Sequence, residues 1–247
     1  MIEFFDCNCC FGIPPVPIFR ISRTAEELLA EMEFCNVKRA LVYHAAMHSF
    51  DSPLVGNDLL LKEIAGCPGL LPTRAIMPPQ TGEQPDALTL LAEMKERGIH
   101  ALWAFPGDHH YLLNRETFGS LFDVLSERRV PLFVLADLVQ IGELLRLYPE
   151  LTVIAAFPGP VPLDRYFRPL VERYPNFYIE TSCYMVDEGI ESFCERYGPE
   201  RLLFGTGYPA NYMGSAMLRL AQADIDEANK QTIASGNLER LLSEVVL

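Results

Sequence analysis

Residues 2–12 read Ile-Glu-Phe-Phe-Asp-Cys-Asn-Cys-Cys-Phe-Gly, a short apolar strand that runs directly into a cluster of polar and soft side chains. The side chains of a β-strand alternate between its two faces. This alternation predicts that Asp6, Asn8 and Cys10 share one face and that the two intervening cysteines share the other. Three such groups at a spacing of two, at the end of a first strand, are typical of an active site.

Outward from this strand, the chain alternates between apolar β-rich segments and segments with helical periodicity. The predicted strands cover residues 2–7, 39–45, 71–77, 99–105, 130–136, 151–157, 176–182 and 201–206. The predicted helices cover residues 24–35, 56–65, 85–97, 116–128, 139–148, 163–174 and 187–197, and three more follow the last strand. Short buried strands separated by helices indicate a parallel sheet.

Eight such repeats predict a closed (β/α)8 barrel, a TIM barrel of the α/β class, as one domain over residues 1–247. The alternative is an open, doubly wound sheet. The barrel is favoured because the strand count fits it. In addition, no Gly-x-Gly-x-x-Gly motif follows the first strand.

Charge and cysteine content narrow the class of partner and the compartment. The formal net charge is −13, which disfavours nucleic acid or an anionic membrane as a partner. No apolar run approaches the roughly 18 residues of a membrane span, and no signal peptide is recognisable. Seven cysteines without a secretion signal indicate reduced thiols. The sequence therefore predicts a cytoplasmic protein that acts on a small molecule.

Functional residues of a (β/α)8 barrel lie at the C-terminal ends of its strands. Reading these ends gives two sets of candidates. The predicted catalytic residues are Asp6, Cys10, His44, His109 and Asp137. The predicted substrate-binding residues are Asn8, Arg74, Trp103, Glu180 and Tyr208.

Several of these residues also have a purely structural interpretation. His44 is either a hydrogen-bonded core histidine or an acid/base group, and His109 is either a solvated loop residue or a site residue that forms a new site with His44. Arg74 lies in a buried strand and therefore needs an anionic partner. That partner is either the carboxylate of Glu180 or Asp6, in an ion pair, or an anionic group of the substrate.

The remaining alternatives concern a thiol and an indole. Cys10 is either a nucleophile activated by a nearby histidine or an inert buried thiol. Trp103, the only tryptophan, is either core filler or a pocket wall that stacks on a planar ligand.

Five segments in chain order carry a resemblance to a known family. They are Phe-Phe-Asp-Cys-Asn-Cys-Cys-Phe-Gly (4–12), Tyr-Pro-Glu-Leu-Thr-Val-Ile-Ala-Ala-Phe-Pro-Gly (148–159), Tyr-Pro-Asn-Phe-Tyr-Ile-Glu-Thr-Ser (174–182), Arg-Leu-Leu-Phe-Gly-Thr-Gly-Tyr-Pro (201–209) and Ile-Ala-Ser-Gly-Asn-Leu-Glu-Arg-Leu-Leu (233–242). Together they resemble the amidohydrolase-related family, which includes metal-dependent hydrolases and aromatic-acid decarboxylases. The resemblance extends over nearly the whole chain.

The resemblance implies a barrel with one divalent metal, usually zinc or manganese. Its ligands are two histidines in an Asp-x-His-x-His first strand, a histidine ending each of strands five and six, and an aspartate ending strand eight that also serves as general base. This sequence departs from that pattern. Asn8 and Cys10 stand at the first two histidines, strand five ends in Leu-Ala-Asp, Phe157 replaces the strand-six histidine, and Gly207 replaces the aspartate.

A catalytic zinc site needs about three protein ligands and an open position for water. The sequence therefore predicts no metal and no other cofactor, with a rearranged zinc site on Cys10, Asp137 and Asp6 as the alternative. The predicted function is a divergent hydrolase or lyase for a small carboxylate or cyclic substrate. The alternative is a non-catalytic barrel that binds a small molecule or a partner protein. The resemblance also implies a homodimer.

Overall fold

Parallel strands with buried side chains form the centre of the molecule. The structure, a computed structural model, describes residues 2–15, 18, 21–49, 53–135, 137–157 and 163–247. Its strands are β1 (Phe5–Phe11), β2 (Arg39–His44), β3 (Leu70–Pro72), β4 (Arg74–Ala75), β5 (Leu102–Ala104), β6 (Leu132–Leu135), β7 (Val153–Ala156), β8 (Phe177–Glu180) and β9 (Leu202–Leu203). Nearly continuous apolar sequence produces strands that are buried on both faces, as a sheet covered by helices requires.

The third of the eight predicted strands is divided. β1, β2 and β3 pair in one sheet, and β4 to β9 pair in chain order in a second sheet. The two sheets meet where β3 ends and β4 begins, and no strand pairing crosses that point in the described residues. Thr73 lies at this interruption, and both its backbone N–H and its hydroxyl donate to the carbonyl of Val42, at 3.1 Å and 2.8 Å. β3 and β4 are therefore two halves of one barrel strand.

Backbone contacts between the first and last strands close the barrel. The amide of Cys7 donates to the carbonyl of Phe204 at 2.9 Å, and the amide of Cys10 donates to that of Tyr208 at the same distance. A parallel bridge joins Cys9 to Tyr208. The predicted (β/α)8 barrel is confirmed; Ala136, at the end of the predicted fifth strand, lies outside the described residues.

Helices surround this sheet at the predicted places. They are α1 (Ala25–Cys35), α2 (Pro53–Glu63), α3 (Ala87–Arg97), α4 (Pro106–His109), α5 (Arg115–Arg128), α6 (Leu138–Leu147), α7 (Asp164–Arg173), α8 (Gly189–Tyr197), α9 (Met213–Gln222), α10 (Glu227–Gln231) and α11 (Asn237–Ser243). Three helices follow the last strand, as predicted, whereas the short α4 was not predicted. None of the helices in the described part of the chain has both the length and the apolar character needed to cross a bilayer.

The prediction that side chains alternate strictly between the two faces of β1 is wrong. The register between β1 and β2 shifts between Asp6 and Cys9, so an extra residue is accommodated in β1. Such a bulge re-aims the side chains around it. The expectation that Asp6, Asn8 and Cys10 act from one shared face therefore fails.

Candidate active site

An apolar cavity of about 280 Å³ opens at the C-terminal ends of the barrel strands. It is lined by Cys10, Pro14, Pro15, Ile18, Tyr43, Ala45, His48, Asp108, Phe157, Gly207, Tyr208, Pro209 and Ala210. These residues lie among the last residues of β1 and β2 or in the segments that follow β1, β2, β5, β7 and β9. This end of a (β/α)8 barrel is where active sites are found. Of the ten predicted site residues, Cys10 and Tyr208 line the cavity.

Glu180, at the end of β8, is a buried acceptor that connects three strand ends. Its Oε2 accepts from Asn8 Nδ2 at 3.0 Å, from the amide of Phe157 at 3.1 Å and from Ser182 Oγ at 2.8 Å. Its Oε1 accepts from the amide of Ser182 at 2.5 Å. A Cβ on Gly205 would lie 2.1 Å from Oε1, so the close approach of β9 requires glycine there. Burial raises the pKa of Glu180 despite these donors.

Asp6 forms a second buried carboxyl network. Its Oδ1 accepts from the amides of Asn8 at 3.0 Å and Thr206 at 2.9 Å, and its Oδ2 lies 2.5 Å from Thr206 Oγ1. Complete burial raises the pKa of Asp6 to about 7 against these hydrogen bonds, with a smaller contribution from the charge of Glu180. Asp6, Asn8 and Glu180 thus hold β1, β8 and β9 together and do not line the cavity.

Phe157 and Gly207 occupy the cavity at two positions where the resemblance implies metal ligands. Phe157 has a φ of 50°, a left-handed conformation that is unusual for a bulky residue. Gly207 has a φ of 64°. A Cβ on Gly207 would lie 2.9 Å from Phe157 Cε1 and 2.9 Å from Ser182 Cβ. The phenyl ring therefore lies in the space that a side chain at position 207 would need.

Gly207→Ala is expected to lower the free energy of unfolding by about 1–3 kcal/mol, because the new methyl group meets Phe157 and the backbone is left-handed. Phe157→Ala is expected to relieve part of this loss, so the two substitutions couple in a double-mutant cycle measured by urea denaturation. Gly214→Ala is the control, since nothing lies within 4 Å of its Cβ position. Additive effects at 157 and 207 would contradict the contact.

Cys10 is a buried thiol on the cavity wall. Burial raises its pKa to about 12, although a hydrogen bond with Tyr43 acts in the opposite direction. Burial also raises the pKa of Tyr43 well above its ordinary value. Both groups are therefore neutral near pH 7, and the thiolate that nucleophilic catalysis requires is not formed in this environment.

His48 and Asp108 form a hydrogen-bonded pair in the wall of the cavity. His48 Nδ1 donates to Asp108 Oδ2 at 2.6 Å, and their side chains are 23% and 32% exposed. This hydrogen bond lowers the pKa of Asp108. The His48 ring packs on Phe105, with 4.4 Å between the ring centroids. Sequence reasoning missed both residues; the one available signal was that both follow predicted strand ends.

The two histidines predicted as catalytic make structural contacts elsewhere. His44 Nδ1 accepts from the amide of Ala46 at 3.1 Å, and its Nε2 lies 3.7 Å from Glu63. His109 Nε2 donates to the carbonyl of Met47 at 2.7 Å. Burial lowers the pKa of both histidines. Neither lines the cavity, and the structure does not bring them together into one site.

Arg74 pairs with a helix rather than with the barrel interior. Its Nη1 donates to Glu93 Oε2 on α3 at 2.7 Å. The prediction that Arg74 pairs with Glu180 or Asp6 is wrong. Both carboxylates instead accept hydrogen bonds from groups on β1 and in the segments after β7, β8 and β9. Arg74 does not line the cavity, so the structure leaves it without contact to a ligand bound there.

Asp137 and Trp103 also have contacts away from the cavity. Asp137 caps α6, accepting from the amide of Gln140 at 3.0 Å and from its side chain at 3.0 Å. Trp103 stacks on Phe105 and Phe133, with centroids 5.3 Å and 5.0 Å apart, and is 1% exposed. Its indole is therefore part of the barrel core.

Tyr208 lines the cavity and is anchored at its hydroxyl. The hydroxyls of Tyr208 and Ser22 lie 2.7 Å apart, and the amide of Tyr208 donates to Thr206 Oγ1 at 3.1 Å. These contacts hold the segment after β9 against the segment after β1. The Tyr208 ring is consequently a fixed part of the wall.

The metal implied by the resemblance does not fit the residues present. Phe157 and Gly207 have no donor atoms in their side chains. Asn8 Oδ1 is buried without a hydrogen-bond partner and offers one neutral oxygen, against about three ligands for a catalytic zinc. Across the described ranges, no three His, Cys, Asp or Glu side chains are grouped closely enough to hold a metal ion.

Fold and cavity together define a (β/α)8 barrel with its candidate site at the C-terminal ends of the strands. The sequence profile of the amidohydrolase family matches residues 27–243. The chain therefore belongs to the amidohydrolase family. None of the curated proteins compared with the chain matches it.

Solved structures of similar fold include enzymes of two kinds. 5-Carboxyvanillate decarboxylase from Sphingomonas paucimobilis is 16% identical, with a TM-score of 0.75 and 100% of both chains covered. 2,6-Dihydroxybenzoate decarboxylase from Rhizobium is 16% identical, with a TM-score of 0.75, 98% of this chain and 99% of that chain. A putative 2-pyrone-4,6-dicarboxylic acid hydrolase from Pseudomonas putida is 14% identical, with a TM-score of 0.76 and 100% of both chains. At these identities the likeness concerns the fold.

Proposed function

We propose that this protein is a hydrolase or lyase that binds a small cyclic substrate or carboxylate in the cavity and acts without a metal at the position implied by the family pattern. The single observation that carries the proposal is the cavity itself. It is concave, mostly apolar and located at the catalytic end of the barrel, with the His48–Asp108 pair as its convergent polar group.

The cavity walls favour a compact ring over an extended chain. Phe157, Tyr43 and Tyr208 offer aromatic surfaces, and three prolines add rigid apolar surface. Aromatic walls stack on planar rings. The relatives of similar fold include decarboxylases of aromatic acids and a hydrolase of a pyrone acid, by their names. A compact planar ring is therefore the proposed core of the substrate.

The second candidate is a non-catalytic barrel that binds such a molecule without transforming it. The protonated state of Cys10 favours this candidate, because it leaves the wall without a thiolate. Phe157 and Gly207 also favour the non-catalytic candidate, because neither residue offers a side-chain atom that could bind a metal. The two candidates differ only in turnover, since both require the cavity.

Ala210→Trp is expected to weaken binding of a cyclic probe at least about tenfold, equivalent to about 1.4 kcal/mol, because the indole fills the cavity mouth. Ala210 is exposed and lines the cavity, so the substitution does not disturb the core. The probes are 2,6-dihydroxybenzoate and dihydrocoumarin, an uncharged cyclic ester. Binding is measured by the fluorescence of Trp103, which stacks on Phe105 beside His48. Because an added indole interferes with that signal, binding to this variant and to Ala92→Trp is measured by isothermal titration calorimetry.

Ala92→Trp is the matched control, because Ala92 is exposed on α3 and does not line the cavity. Wild-type protein and this control are expected to turn over a probe equally, with and without a chelator. Stoichiometric zinc or manganese in the purified protein, with turnover lost on chelation, would contradict the metal-free proposal. Tight binding without turnover of either probe would establish the second candidate instead.

A further inference from the structure

We infer that His48, oriented by Asp108, is the general base of this site, and that it activates water for attack on the carbonyl carbon of an uncharged cyclic ester. This inference rests on the proposed function, because it requires that the cavity hold a substrate. It deepens that function by naming the reacting group and the substrate class. Neither His48 nor Asp108 stands at a position of the family's metal-ligand pattern.

The pair is positioned by two separate segments that the fold brings together. His48 ends the 3₁₀ turn Ala45–His48 that follows β2, and Asp108 lies on α4, which follows β5. The hydrogen bond from His109 to the carbonyl of Met47 ties α4 to this turn, one residue away from each member of the pair. His109 is therefore a positioning residue for the pair.

The hydrogen bond to Asp108 also selects the protonation state of the ring. Because Nδ1 donates to the carboxylate at 2.6 Å, the neutral imidazole carries its proton on Nδ1. Nε2 is then the ring nitrogen that accepts a proton. An anionic partner also stabilises the imidazolium that forms when Nε2 is protonated.

Other ionisable groups of the wall are poorly suited to this role. Cys10 and Tyr43 are held in their protonated forms by burial. Tyr208 has its hydroxyl 2.7 Å from that of Ser22. Among the described lining residues, the His48 ring, held by Asp108, is therefore the group placed to take a proton from water in the cavity.

The reaction step conserves atoms and charge. Water forms a bond from its oxygen to the carbonyl carbon as Nε2 of His48 takes one of its protons, and the carbonyl π electrons move to the carbonyl oxygen. The tetrahedral intermediate collapses, the ring C–O bond breaks with its electrons on the leaving oxygen, and the imidazolium returns the proton to that oxygen. The product is the ring-opened hydroxy acid.

The charge of the cavity decides between ester and carboxylate substrates. No lysine or arginine occurs among the described lining residues, and Asp108 contributes a negative charge. A buried carboxylate needs a cationic or hydrogen-bonding partner, and decarboxylation leaves an electron pair that needs stabilisation as well. An uncharged cyclic ester avoids both costs and uses the base that the cavity does contain.

His48→Asn is expected to lower kcat for dihydrocoumarin about 100-fold or more, as loss of a general base does. His110→Asn is the matched control, since His110 is exposed, does not line the cavity, and has a φ of 54° that asparagine tolerates. It is expected to keep the wild-type rate. In ¹⁵N NMR spectra of the wild-type protein, His48 is expected to show the Nδ1–H tautomer, and Asp108→Asn is expected to shift it toward Nε2–H.

The outcomes separate the inference from the proposed function. If wild-type protein opens the ring and His48→Asn does so equally fast, His48 is not the base, whereas the proposed enzyme function stands. A dominant Nε2–H tautomer in the wild type would also overturn the inference, whatever the rate. If wild-type protein transforms neither dihydrocoumarin nor 2,6-dihydroxybenzoate, the proposed function fails, and the catalytic role of His48 fails with it.

Discussion

Replacing Glu180 with alanine is expected to lower the free energy of unfolding by about 4 kcal/mol or more, because it removes one acceptor from several buried donors at once. Asn8 Nδ2, the amide of Phe157 and both donors of Ser182 direct their hydrogen bonds to this carboxyl group. Each buried donor left without a partner costs about 1–3 kcal/mol. The measurement is the urea denaturation midpoint with its slope, compared with wild type.

Glu180→Gln is the control that separates loss of the acceptor from loss of the carboxyl group. The amide oxygen of glutamine still accepts from Asn8 and Phe157, but its NH₂ group faces the amide of Ser182, so we expect less than half the loss seen with alanine. If Glu180→Ala does not fold, the glutamine variant still reports on the network by its intermediate stability. Equal stability of glutamine, alanine and wild-type proteins would contradict the described network.

The fold could be predicted from sequence because its signals are local. Thr24 with Glu27 three residues later is the pattern of a capping box at a helix start, and the Thr24 side chain accepts from the amide of Glu27 at 3.3 Å at the start of α1. Gly98 directly follows the last residue of α3, as is typical of a helix C-terminus, and adopts a left-handed φ of 67°. Strand count and strand order follow from the apolar periodicity. The bulge between Asp6 and Cys9 has no such local signature, and it defeats strict alternation.

The candidate site could be predicted only in its location. His48 and Asp108 are 60 residues apart in chain order and meet because the turn after β2 lies beside α4. Periodicity carries no information about that contact. Arg74 shows the same limit, since burial of its strand predicted a partner but not that the partner would be Glu93 on α3.

Two structural roles did have signals in the sequence. Asp137 is followed three residues later by Gln140, which matches an aspartate cap at the start of a helix, and this is how the pair interacts. Phe157 and Gly207 could be recognised as departures from the family pattern. That the phenyl ring occupies the space beside the glycine could not, because it depends on the left-handed backbone at both positions.

The free energy of unfolding is expected to fall as pH rises from about 4 to about 7 through the carboxyl group of Asp6. Burial raises its pKa from 3.8 to about 7 in the folded protein. Below the unfolded pKa both states are protonated, and the stabilising contribution is fully present. Between the two pKa values the unfolded chain releases a proton that the folded state retains, so stability falls by about 1.4 kcal/mol per pH unit. Above about 7 both states are ionised, and the contribution is lost.

Other ionisable groups also change how the free energy of unfolding depends on pH. Glu180 also has a raised pKa and acts in the same direction. His44 and His109 have lowered pKa values, so they are protonated more readily in the unfolded chain, and their contribution makes stability rise as pH approaches 6.5. The Asp6 contribution is therefore isolated as the difference between wild type and Asp6→Asn, which keeps an acceptor for the amides of Asn8 and Thr206.

Measured by urea denaturation between about pH 4 and 7.5, the stability of wild type relative to Asp6→Asn is expected to decrease by a few kcal/mol as pH rises. Asp58→Asn is the control, because it removes a carboxylate whose side chain is 81% exposed and leaves the buried network of Asp6 intact. A constant difference between wild type and Asp6→Asn across this range would show that the pKa of Asp6 is not raised. The hydrogen bonds from Thr206 and Asn8 would then offset the cost of burying the charge.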